Sequence, residues 1–183
     1  MNTTIILAVV VGAVVLFVLY LYNTLISARL RVHEAFSQID VQLKRRIDLI
    51  PNLIETVKGY AKHEKTLFEN VTKARTAVIG AKNPETAAKA DNMLTDALKS
   101  IFAVAENYPQ LKASENFKEL QQELSDTETK VAAARQFYNG NVLEFNAKIK
   151  IFPNVIVANM LGFKPEVFFE AEESARKEVK VKF

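Results

Sequence analysis

The sequence predicts an all-α protein in which an N-terminal transmembrane helix continues into an antiparallel bundle of three long helices plus a short fourth. Three observations predict it. From Ile5 to Tyr22 there are 18 residues without a charged side chain. Beyond them, apolar residues return at alternating steps of three and four, the period of one helix face. Only five Gly and five Pro occur in 183 residues otherwise rich in Ala, Glu, Lys and Leu, which favours helices and leaves few turns for a sheet.

The anchor comes first. At ~1.5 Å per residue the 18 uncharged residues reach about 27 Å, close to a hydrocarbon core of roughly 30 Å. Ile5, Gly12, Leu16 and Tyr22 mark the crossing, and Leu25 and Ile26 can complete it. Tyr20 and Tyr22 fall where an interfacial aromatic belt lies. The first charged side chain is Arg29, followed by basic Arg31, Lys44, Arg45 and Arg46, with acidic Glu34, Asp40 and Asp48 diluting the signal. The positive-inside rule then predicts a single-pass membrane protein with a short N-terminus outside and the remainder in the cytoplasm. A cleaved secretory signal fits less well, because no Lys or Arg precedes the apolar run and Ile26-Ser27-Ala28 is a poor cleavage site. A core helix of a small domain rarely stays apolar around its whole circumference. The division expected is an anchor at 1–28, a bundle domain at 29–169 and a charged tail at 170–183, helical or frayed.

No Gly or Pro interrupts residues 13 to 50, so the membrane helix should enter the bundle without a flexible linker. Phe36, Ile39, Leu43, Ile47, Ile50, Ile54, Val57, Ala61, Phe68, Val71, Ala74 and Val78 then read as one seam on one helix ended by Gly80, broken only by Glu64. Pro51 lies inside it, frees the carbonyl of Ile47 and predicts a kink there. The bend fits the helix to its neighbours better than it makes a binding site. Asn83-Pro84-Glu85 starts a second helix, which runs to about Asn107 along Ala90, Leu94, Ala97, Ile101 and Ala105. Tyr108-Pro109 breaks the chain, and Ser114 caps a third helix bearing Phe117, Leu120, Leu124, Val131, Ala134, Tyr138, Val142, Phe145 and Ile149. Pro153 closes it, and Asn154 to Leu161 form the short fourth before Gly162.

These lengths have a consequence. A first helix reaching Gly80 measures about 115 Å with its span, more than a second helix of ~36 Å and a third of about 55 Å starting lower are expected to cover between them. Phe36, Ile39, Leu43 and Ile47 are therefore the candidate self-association seam, and a homo-oligomer is expected.

The run Phe36-Ser37-Gln38-Ile39-Asp40-Val41-Gln42-Leu43-Lys44-Arg45-Arg46, continued by Asp48-Leu49-Ile50-Pro51-Asn52-Leu53 and Glu55-Thr56-Val57-Lys58-Gly59-Tyr60, closely resembles the signature of bacterial LemA-family proteins. Tyr108-Pro109-Gln110-Leu111-Lys112-Ala113, Ala134-Arg135-Gln136-Phe137-Tyr138-Asn139 and Phe152-Pro153 with Gly162-Phe163 extend the likeness over nearly the whole chain. Phe36 stands where the family commonly has Trp, and Phe145 where a Tyr-Asn pair is usual. The resemblance implies a membrane helix, a small extracytoplasmic N-terminus and an antiparallel bundle, and it supplies no reaction.

The search for chemistry finds little. Neither Glu-x-x-His nor His-Glu-x-x-His occurs, and His33-Glu34 and His63-Glu64 are adjacent pairs that diverge on a helix, so no metal site is expected. Without Cys there is no thiolate ligand, thiol nucleophile or disulfide, and scattered glycines build no phosphate loop. No catalytic residue and no cofactor is assigned. A net charge of +3 with interspersed signs disfavours nucleic acid. The candidate polar binding face is Arg45, Arg46, Asp48, Asn52 and Glu55, which is more often a solvated stripe of ion pairs than a cradle for an anion. Asn139, Asn141 and Asn146 are poor helix formers beside an apolar stripe, and some of them are expected to bond across helices and fix register. Phe163, Phe168 and Phe169 should close the bundle's end. The functional expectation is a non-enzymatic membrane-anchored scaffold or adaptor whose partners are membrane lipid, further copies of itself or another protein. The alternatives are a module binding an anionic headgroup or peptide on the polar face, and a membrane-remodelling oligomer.

Overall fold

The computed structural model describes residues 3–169, so the expectation for the tail at 170–183 lies outside the described residues. Among the described residues there are seven helices and no strand. They are α1 (Thr3–Asp48), α2 (Ile50–Tyr60), α3 (Lys65–Gly80), α4 (Pro84–Ala105), α5 (Pro109–Ala113), α6 (Glu115–Lys148) and α7 (Asn154–Leu161). A non-helical segment follows over residues 163–169.

The long first helix ends earlier than its seam suggested. α1 and α2 together run from Thr3 to Tyr60, about 87 Å at ~1.5 Å per residue, with only an irregular step at Leu49. The chain then reverses at Ala61–Glu64, where Ala61 leaves helical geometry and the Glu64 amide donates to its carbonyl. The apolar spacing of three and four persists across this turn because Ala61 and Phe68, seven positions apart, both point into the core. One seam is thus laid on two antiparallel helices. Gly80 is the last residue of α3, not a left-handed cap beyond it.

Pro51 produces the expected break, and its consequence is met inside the molecule. The Ile47 carbonyl, which the missing Pro51 amide leaves without a helical donor, accepts from Arg75 Nε of α3 at 3.3 Å. A freed buried carbonyl would cost about 1–3 kcal/mol unpaired.

α4 starts on a complete capping box, in which the Thr86 amide donates to Asn83 Oδ1 at 2.9 Å and the Asn83 amide to Thr86 Oγ1 at 3.3 Å. It runs back along α3, and a single turn, α5, leads from it to α6. α6 then returns along α1 and α2, from Phe117 packed on Phe102 of α4 to Glu144 paired with Arg31 of α1. The far half is therefore four helices thick, and the half nearest the apolar segment is α1 against α6. Val32, Ala35, Ile39, Leu43 and Ile47 of α1 meet Val131, Tyr138, Val142 and Phe145 of α6, and Ile149 just past its end, in one buried core. Phe36, Ile39, Leu43 and Ile47 are thus covered by α6 of the same chain. Phe36 lies 5.8 Å from the Tyr138 ring, and the other three are 3% exposed or less. α6, at 34 residues, reaches what α4 cannot, which removes the free seam.

Apolar burial along α1 begins at Leu21, whereas every residue from 3 to 20 is exposed. The core thus reaches into the segment expected to be anchor alone. Gly162 ends α7 at a φ of 72°, where an L side chain is strained, and the Phe163 amide closes the turn on the Ala158 carbonyl.

Candidate functional site

The predicted polar face does not stay together. Arg46 turns inward, at 2% exposure, while Arg45, Asp48, Asn52 and Glu55 are exposed. Asp48 pairs with Lys44, and no hydrogen bond or ion pair joins Arg45, Asp48, Asn52 and Glu55 among the described residues. These four make a solvated stripe on the outer side of the kink.

The charges that sequence reasoning missed are inside. Arg46 Nη1 donates to Asp91 Oδ1 at 2.8 Å and to Thr95 Oγ1 at 3.0 Å, and Arg46 Nη2 lies 3.6 Å from Glu128 Oε2. Arg135 Nη2 takes the other Asp91 oxygen, and its guanidinium lies over the Phe169 ring at 4.7 Å. Asp91 is 1% exposed, so a carboxylate of α4 is held between guanidinium groups of α1 and α6 in the centre of the bundle. Such a cluster is stable only when each charge is compensated, which here it is, two positive against two negative. Both Asp91 oxygens are engaged, so the geometry is that of a lock on helix register. Asp91 follows Ala87 by four and precedes Leu94 by three, a position on the apolar face that would have betrayed it.

The asparagines of α6 do fix register, against the chain's own last described segment. Asn139 accepts from the Phe169 amide at 2.8 Å and donates to its carbonyl at 3.0 Å. Asn146 does the same to Glu166, at 2.8 and 2.9 Å. The spacing explains the choice. Seven helical residues rise about 10.5 Å, and three extended residues cover about 10 Å, so two asparagines two turns apart match a strap laid along the helix. Tyr138 Oη donates to the Val167 carbonyl at 2.7 Å between them, and burial with the nearby Glu166 charge pushes its phenol up to about 12. Asn141 instead bonds Phe137 within its own helix. Of the three phenylalanines expected at the bundle's end, only Phe163, half-buried against Tyr22, lies there; Phe169 is buried against Arg135 in mid-bundle, and Phe168 stays at the surface. Glu64, at the reversal, accepts from Tyr108 Oη at 3.3 Å.

Open surface is modest. A groove of about 620 Å³ lies between α1 and α6, lined by Ser37, Gln38, Val41, Lys130, Ala133 and Phe137, with Val41 and Phe137 exposed. A second, of about 430 Å³, separates α1 from α3 beside Asp40, whose carboxyl burial raises above its usual range. Among the described residues no three His, Cys, Asp or Glu side chains are grouped to hold a metal ion.

The family model described as the LemA family matches residues 35–183. The chain belongs to the LemA family. The matched region takes in the Arg46–Asp91–Arg135 cluster and both clamping asparagines of this LemA-family chain. Protein LemA of Metamycoplasma hominis is 26% identical, over 86% of this chain and 72% of that protein. Magnetosome protein MamQ 2 of Paramagnetospirillum magneticum is 24% identical over 81% of this chain. Magnetosome protein MamQ of Magnetospirillum gryphiswaldense is 23% identical, over 89% of this chain and 71% of that protein. The match spans 64% of the length of MamQ 2, somewhat under two thirds. Together with the apolar helix, these likenesses make this a membrane-associated protein.

Proposed function

We propose that this LemA-family protein is a single-pass, membrane-tethered scaffold that holds a helical head at a fixed stand-off from the bilayer and offers its sides to a protein partner. One observation carries the reading. The helix long and apolar enough to cross a membrane is the same helix that forms the bundle, unbroken through residue 48 and clasped by α6. A flexible tether would suffice to localise an enzyme, whereas a rigid one sets distance and orientation. The relatives' names, a LemA protein and magnetosome proteins, name no reaction. On the positive-inside argument the head lies in the cytoplasm. The surface offered is the α1–α6 groove with exposed Val41 and Phe137. Self-assembly loses its first motivation, since the seam is closed within one chain. The stripe from Arg45 to Glu55 stands about 30 to 45 Å beyond the end of the span along the helix, too far to hold headgroups of the bilayer the chain itself crosses.

A photo-crosslinking residue at Phe137, in full-length protein in its own membrane, should capture one discrete protein, and a control at Ile79 should not. Inserting a Gly-Ser linker after Tyr22 should abolish that product while leaving the protein in the membrane. Equal yields from the rigid and linker forms would overturn the scaffold reading.

A further inference from the structure

α7 has a side that the bundle does not use. Val157 and Ala158 are buried, whereas Ile156 and Met160, one turn apart on the opposite face, are exposed, Met160 at 77%. Leu161 at the end of α7, and Ile151 and Phe152 in the turn before it, are exposed too, Phe152 at 76%. From Ile151 to Phe163 there is no charged residue, and Lys150 and Lys164 bracket the stretch. Five large apolar side chains in so short an uncharged segment make a patch that water disfavours.

Its position says what covers it. α7 packs on α1 at the end of the apolar span. Phe163 stands 6.3 Å edge-on to Tyr22, and Leu21 and Leu25 are buried where residues 3–20 are not. Counted from Ile5, about 20 residues fill a hydrocarbon core of roughly 30 Å and bring its edge to Thr24. Arg29, paired with Glu166 at 3.0 Å, lies about 7 Å further out, at headgroup height. α7 is therefore level with the boundary between acyl chains and headgroups, where an amphipathic segment buries its apolar face about 5–10 Å deep. Lys150 and Lys164 on either side suit the anionic headgroups of that surface.

We infer that α7 and the Ile151–Phe152 turn enter the interface of the bilayer that α1 crosses, so that each chain holds one membrane at two adjoining points. The inference rests on α1 spanning that bilayer. The span anchors, and α7 with the strap behind it fixes how α1 and α6 meet the surface.

The chain contains no Trp, so single substitutions report without background. Leu16→Trp, Ile156→Trp, Met160→Trp and Ile79→Trp would each be made in the full chain. Each would be reconstituted into phosphatidylcholine–phosphatidylglycerol vesicles whose phosphatidylcholine carries bromines at shallow acyl positions, with helicity checked by circular dichroism. Ile156→Trp and Met160→Trp should lose more than half of their emission to brominated lipid and resist aqueous acrylamide, whereas Ile79→Trp should do the reverse. Quenching of Leu16→Trp alone leaves the span standing and overturns the inference about α7. Acrylamide protection at Met160→Trp without bromine quenching also overturns it, because a second copy or another protein then covers α7. Failure at Leu16→Trp would overturn the span itself.

Discussion

At the residue scale the molecule turns on single polar atoms placed among apolar ones. Removing one member of the Arg46–Asp91–Arg135 cluster strands the others, so Asp91→Ala should cost about 3–5 kcal/mol of stability in denaturant titration in mild detergent. Replacing all three by apolar residues of similar size should cost far less, and a triple variant as unstable as Asp91→Ala would show that the cluster does more than compensate itself. Tyr138 gives a pH dependence of defined sign. The fold holds the neutral phenol, with its ionisation raised from 10 to about 12. Its contribution is complete below pH 10 and is lost as pH rises towards 12, where the unfolded phenol already ionises. Tyr138→Phe should lose about 1 kcal/mol at neutral pH and show a flatter alkaline limb. The three charges of the cluster do not read as core in the sequence, because Arg46 groups with the exposed residues of the polar face and Asp91 and Arg135 belong to no motif that singles them out. Each nonetheless lies three or four residues from buried apolar positions.

At the element scale, some local signals hold and others do not: Gly80 ends α3 without a left-handed cap, and Ser114 precedes α6 without a side-chain capping bond. The start of α4 at Asn83-Pro84 and the whole of α7 follow from caps and prolines visible in the chain. The reversal at Ala61–Glu64 carries no Gly or Pro and keeps the apolar spacing, so only packing distinguishes a hairpin from one long helix. The strap on α6 is the other case. Asn139 and Asn146 were marked as register residues, but their partners are backbone groups of a segment with no periodicity to read. Asn139→Ala and Asn146→Ala should each remove two hydrogen bonds, roughly 2 kcal/mol of local protection. Hydrogen exchange should then accelerate at the Phe169 and Glu166 amides, with the Leu94 and Ile101 amides of α4 unchanged. Uniform acceleration across the bundle would mean that the strap does not open on its own.

At the scale of the whole molecule, the closed seam separates folding from association. Leu43→Ala should lower stability by about 2–5 kcal/mol, as a core truncation does, with a midpoint independent of protein concentration. A midpoint that rises with concentration would restore the intermolecular role first expected of Phe36, Ile39, Leu43 and Ile47. The continuous helix has a further consequence. With the span embedded, a tilt of about 20°, ordinary for a membrane helix, would swing the Tyr60 end, about 54 Å beyond the edge at Thr24, sideways by about 18 Å. Thin and thick bilayers would impose different tilts on the proposed span, so the head would convert membrane thickness into reach, and a partner bound to it would meet a different neighbourhood in each.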